Sequence, residues 1–152
     1  MLDAVSHAVN GAAIEVHREL GPSLLEALYE RALAEEFRLR GIRFTRQTEV
    51  AAKYKGVDLG GFYRLDFMVE NTVVVEVKAV QHILPVHRAQ LLTYLRITGY
   101  EIGLILNFHA AVMKDGIVRM VRSPKVFASR RLPVQASSPH ARCSTHPEDA
   151  GR

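Results

Sequence analysis

The sequence has one cysteine and no long apolar run, and both shortages exclude whole classes. Cys143 alone in 152 residues permits no internal disulfide, which removes the small disulfide-stapled scaffolds and suits a reducing compartment. The longest apolar stretches, Thr72 to Val77 and Ile102 to Leu106, fall far short of the ~20 residues a membrane helix needs. Near the N-terminus Asp3, His7, Asn10 and Glu15 break what would be the apolar centre of a signal peptide, so a cytoplasmic location is expected. No internal repeat is visible, which sets solenoids aside.

What is present is an ordinary globular balance: 48% hydrophobic and 24% charged residues, in a length that suits one domain. The formal charge is +4 and the pI about 9.5, which invites a nucleic-acid reading until the charge is located. From Ser123 onward Lys125, Arg130, Arg131, Arg142 and Arg152 face only Glu148 and Asp149, a net of +3 that leaves +1 for residues 1–122. Net charge therefore says little about the folded part. The stretch 123–152 is rich in Ser, Pro, Arg and His without regular apolar spacing, and is expected to be a disordered basic tail on a domain of residues 1–122.

Within that domain Val5, Val9, Ala12, Ala13, Val16 and Leu20 recur at helical spacing after Asp3, a candidate cap, and Gly21-Pro22 ends the helix. A second helix is expected from Ser23, with Leu24, Leu28, Ala32 and Phe37 among its apolar positions, to Gly41. Strand-like runs follow at Ile42 to Tyr54, Phe62 to Val69 and Thr72 to Val80, separated by Lys55-Gly56, Gly60-Gly61 and Glu70-Asn71. Pro85 opens a third helix that ends at Gly99, and Glu101 to Phe108 and Ile117 to Val121 read as strands around a Lys114-Asp115-Gly116 turn. The fold class is α/β (α+β), in the order ααβββαββ, with an antiparallel meander in a mixed β-sheet flanked by helices.

The chemistry-bearing stretch is Tyr63-Arg64-Leu65-Asp66-Phe67-Met68-Val69, then Val73-Val74-Val75-Glu76-Val77-Lys78. Glu76 and Lys78 are two apart and share one strand face, opposite Val75 and Val77. Charges inside so apolar a strand demand pairing, hydrogen bonds or a metal. Parity decides whether Asp66 joins them: with an odd loop such as Glu70-Asn71-Thr72 it faces Glu76, and with a two-residue loop it points away. Two carboxylates and an ammonium would then converge. Hard oxygen ligands suit Mg²⁺, or Mn²⁺, with water and substrate phosphate completing the shell. This is the equipment of phosphodiester hydrolysis, in which Lys78 orients water or neutralises developing charge.

Asp66 followed by Glu76-Val77-Lys78 resembles the core of the PD-(D/E)XK nucleases, whose restriction-endonuclease-like core shares this order of elements. Ser23-Leu24-Leu25-Glu26-Ala27-Leu28-Tyr29, Tyr63-Arg64-Leu65-Asp66 and His87-Arg88-Ala89-Gln90-Leu91-Leu92-Thr93-Tyr94-Leu95-Arg96 further resemble the GxxExxY proteins over roughly residues 3 to 121. Ser23 stands where that branch name has Gly, and Leu65 where the superfamily name has Pro; neither departure removes a ligand. The resemblance implies a Mg²⁺-dependent nuclease acting on nucleic acid, DNA ahead of RNA. It implies Asp66, Glu76 and the Val77 carbonyl as metal ligands, Lys78 serving the water, Glu26 adding an acidic group, and Gln90 and Tyr94 facing the same site one turn apart. A homodimer is an open option, since enzymes acting on duplexes often pair two sites.

Plainer readings stand beside these. Glu26 lies at capping-box spacing from Ser23, and Glu76 with Lys78 can be an ion pair on an exposed strand. Tyr29 and Tyr94 suit packing, His82 and His87 lack a third ligand, and Cys143 has no base beside it. At the level of the whole chain, a non-catalytic nucleic-acid- or protein-binding module, or a toxin–antitoxin type partner, keeps the fold without turnover.

Overall fold

Odd-numbered valines of the central run face one way and Val74 faces the other, and this alternation sorts the core. The computed structural model describes residues 2–123, so the expected tail, beyond Ser123, and Cys143 lie outside the described residues. Helices α1 (Leu2–Leu20) and α2 (Glu26–Leu39) precede β1 (Phe44–Tyr54), β2 (Val57–Val69) and β3 (Val73–Lys78). Then come α3 (Pro85–Thr98), β4 (Ile102–Asn107), a 3₁₀ turn at Met113–Gly116 and β5 (Ile117–Val121). The five strands form one sheet in sequential order. Only β3 and β4 pair in parallel, joined by α3, and the other neighbours are antiparallel. The ααβββαββ order and the mixed sheet are as the sequence predicts.

Val73, Val75 and Val77 pack with Phe67, Val69, Leu104 and Leu106 against Val9, Ala12, Ala13 and Val16 of α1 and Tyr29, Leu33 and Phe37 of α2. On the other face Leu65, Val74 and Ile105 lie under Leu91, Tyr94 and Leu95 of α3. Helices on both faces explain why β3 and β4 read as almost unbroken apolar runs. Burial of each such side chain contributes ~1.5–3 kcal/mol. Helix α3 has Pro85 in its first turn and Gly99 in the left-handed region at its end, both as the sequence predicts. His87 Nδ1 accepts from the Leu84 amide at 3.0 Å, so this histidine fastens the entry to α3.

Three local expectations are corrected and a fourth is refined. Helix α2 begins at Glu26, not Ser23: Ser23 has φ +88, Leu25 is the N-cap without a side-chain bond, and the Ser23–Glu26 capping box does not form. Asp3 lies inside the first turn of α1 instead of capping it, and its carboxylate pairs with Arg119 at 2.7 Å. Gly60-Gly61 is not a turn but part of β2, beside a register shift between Ala51 and Lys53. The turn expected at Lys114-Asp115-Gly116 is present and takes the form of one turn of 3₁₀ helix. There the chain passes close to β4: a Cβ on Gly116 would sit 2.2 Å from the Asn107 carbonyl oxygen. Gly116→Ala should therefore lower stability by ~1–3 kcal/mol, the usual range for overpacking, and a thermal melt against the parent chain checks it.

Candidate active site

The hairpin between β2 and β3 sets the register on which everything here depends. Glu70 and Asn71 both adopt positive φ, +49 and +54, and the Thr72 amide donates back to the Val69 carbonyl at 3.0 Å. Val69 pairs with Val73, Met68 with Val74 and Phe67 with Val75, so the loop is the odd one, Glu70-Asn71-Thr72, and Asp66 continues the series opposite Glu76.

At Asp66 the ladder opens. Asp66 Oδ2 accepts from the Val77 amide at 2.9 Å, and Glu76 Oε1 from the Asp66 amide at 3.3 Å. Each carboxylate thus takes an amide that a regular ladder would occupy. A residue in an extended strand sends its N–H and C=O to the same side, so the Val77 carbonyl also opens onto this gap. On the other side of β3 the Phe108 amide donates to the Lys78 carbonyl at 2.9 Å. Asn107 locks the next residues: its amide donates to the Val80 carbonyl at 2.8 Å while Oδ1 accepts from the Val80 amide at 3.1 Å.

Electrostatically the pair is strained. Burial, and then the Asp66 charge, pushes the Glu76 carboxyl up to about 9, and only 4% of Glu76 is exposed. Asp66 is also raised, first by burial and then by the Glu30 charge, against the opposing Val77 amide. The half-buried Lys78 acts on both carboxylates as a favourable charge, yet among the described residues it has no ion-pair partner within 4.0 Å. An ammonium near one buried and one half-buried acid but bound to neither remains available to a third group.

Helix α2 supplies two more acids one turn apart. Glu26 Oε2 accepts from the Ala79 amide at 3.3 Å, just beyond Lys78. Glu30, 9% exposed, is held by Arg46 Nε at 2.8 Å and Gln47 Nε2 at 2.6 Å. From α3, Tyr94 turns its hydroxyl toward the same place: burial, with the Glu76 and Asp66 charges, pushes it up to about 12, opposed by a hydrogen bond from the exposed Gln90. Tyr94 therefore keeps its proton at neutral pH. Its ring meets Tyr63 edge-on at 6.0 Å.

A profile of the PD-(D/E)XK nuclease superfamily matches residues 3–120. The chain belongs to the PD-(D/E)XK nuclease superfamily. No curated protein and no solved structure matches it. Membership implies nuclease chemistry on nucleic acid, and the mixed sheet between helices is consistent with a restriction-endonuclease-like fold. Nucleases of this superfamily typically use divalent metals, and the donor set here suits one. Two carboxylates and an open backbone carbonyl are what Mg²⁺ takes, leaving places for water and phosphate. No group of three His, Cys, Asp or Glu side chains able to hold a metal converges among the described residues, so the arrangement is not an all-side-chain cage.

Of the residues singled out from sequence, Asp66, Glu76, Val77 and Lys78 meet in one gap, Glu26 borders it, and Tyr94 reaches it with Gln90 alongside. Tyr29 does not: it is buried, stacked on Phe108 at 4.6 Å, and its hydroxyl donates to the Gly21 carbonyl, shaping the loop before α2. His82 and His87 form no pair. Glu30, Arg46, Gln47 and Asn107 were not anticipated. Glu30 alone had a sequence signal, its place one helical turn after Glu26.

Proposed function

We propose that this chain is a Mg²⁺-dependent nuclease hydrolysing phosphodiester bonds of DNA, with Asp66, Glu76 and the Val77 carbonyl holding the ion. The observation that carries the reading is the gap between β2 and β3, where the half-buried Asp66 and buried Glu76 carboxyl groups and an open carbonyl lie beside an ammonium that has no ion-pair partner among the described residues. Ionising both carboxyl groups so close together is costly, which holds the Glu76 proton on, unless something positive joins them, and a divalent ion is that partner. Bound there, it supplies charge stabilisation for the phosphate and activation of the attacking water.

The chain's own residues do the rest. Lys78 orients the water or neutralises charge that develops on the phosphate. Tyr94, which keeps its proton, donates a hydrogen bond into the site, and Gln90 orients that hydroxyl. Glu26 holds the Ala79 amide and so fixes the segment that follows Lys78. The α2 carboxylates make the floor of the site anionic, which limits close approach of a phosphate to where the ion and Lys78 offset them.

The test is cleavage of linear, single-stranded and branched DNA, with RNA counterparts, in Mg²⁺ or Mn²⁺, comparing the parent chain with Asp66→Ala. Metal-dependent cutting that disappears in the variant is the expected result, and the preferred substrate names the class. A parent that binds nucleic acid but cuts nothing in the panel would sink this reading in favour of a binding module on the same fold.

A further inference from the structure

Strand β1 is interrupted where it passes Asp66. Its pairs run Arg46 with Phe67 and Thr48 with Leu65, omitting Gln47, and Gln47 has φ +51. A left-handed glutamine inside a strand is sparsely populated, and such conformations persist only where the surroundings over-determine them. Here the surroundings are polar contacts: the Gln47 amide nitrogen donates to Glu30 Oε1 at 2.6 Å and approaches Asp66 Oδ1 at 3.4 Å. The other Asp66 oxygen takes the Val77 amide at 2.9 Å, and Glu30 is fixed from behind by Arg46 at 2.8 Å.

We propose that Gln47 is a positioning residue for Asp66, its strained backbone placing one amide between the Glu30 and Asp66 carboxylates so that Asp66 is oriented for metal. This rests on the metal-dependent reading above. The amide has no acid or base of its own to offer the reaction. What it has is two N–H groups, enough for both carboxylates at once. It separates two like charges and, with Val77, gives each Asp66 oxygen a fixed donor. Partners of this kind, one shell behind a metal ligand, typically change metal affinity or activity 10–100-fold when removed.

The experiment compares the full chain with Gln47→Gly and Gln47→Ala, measuring Mn²⁺ affinity by titration calorimetry, the melting temperature without metal, and cleavage. Both variants should bind Mn²⁺ about tenfold or more weakly and lose cleavage in proportion. Gln47→Gly should melt at or above Gln47→Ala, because glycine accepts the positive φ without strain. A Gln47→Gly chain that binds Mn²⁺ as tightly as the parent, whatever its melting temperature, would reduce Gln47 to a tie between β1 and α2 and overturn the proposal. A parent that binds Mn²⁺ no better than Asp66→Ala would instead overturn the metal reading, and this proposal with it.

Discussion

Replacing Lys78 with alanine is expected to lower kcat for phosphodiester cleavage about 10²–10³-fold, the usual effect of removing one preorganised charge from a transition state. Mn²⁺ affinity should stay close to parental. Lys78 sits on β3 in register with Asn107 of β4, and its carbonyl holds the Phe108 amide, so the backbone contacts survive truncation of the side chain. Its ammonium is bound to no carboxylate within 4.0 Å among the described residues, so removing it breaks no structural ion pair. Loss of kcat with unchanged metal binding and melting temperature is thus the signature of a group that serves the reaction. Lys78→Arg should recover little, since a wide planar fork does not replace a compact charge. Cleavage by Lys78→Ala within about threefold of the parent would remove Lys78 from the machinery.

The part of this site that was legible in the sequence lies on one hairpin. Strand periodicity put Glu76 and Lys78 on one face, and loop parity made Asp66 conditional on three residues between the strands; both are local rules, and Asn71 marks the turn that satisfies them. Helix α3 was legible for the same reason, because Pro85 and Gly99 punctuate it locally. The start of α2 was not. Ser23 has the composition of a cap, but Tyr29, buried on Phe108 and donating to the Gly21 carbonyl, fixes the preceding loop in another shape, and that contact spans the fold. Gly60-Gly61 misled similarly: glycine pairs mark turns on average, whereas here they accommodate a register shift within a long hairpin. Glu30 had only the faint signal of its place one helical turn after Glu26, while Arg46 and Gln47 lie on a strand whose facing is decided by packing, so no spacing in the sequence could bring them to Asp66.

Glu76→Gln should stabilise the metal-free protein at neutral and alkaline pH, then lose that advantage when metal is added. Burial and the Asp66 charge push the Glu76 carboxyl up to about 9 from an ordinary value of 4.5. Between those two values the folded chain holds a proton that the unfolded chain has released, so the folded state binds more protons and stability falls as pH rises through the window. Below pH 4.5 both states are protonated and the penalty vanishes. Glutamine keeps the oxygen that accepts from the Asp66 amide at 3.3 Å and has nothing to ionise. In EDTA at pH 8 the variant should melt above the parent by an amount worth ~1–3 kcal/mol, a few degrees for a domain of this size, with the gap closing toward pH 4.5. Saturating Mg²⁺ should reverse the order, since an ion present at 100 times its Kd stabilises only the chain that binds it, by about 2.7 kcal/mol. Melting curves with EDTA and with Mg²⁺ at pH 5 and pH 8 check both signs. A variant that melts below the parent in EDTA at pH 8 would mean that Glu76 is ionised and satisfied without metal, and the strain that motivates the metal site would be absent.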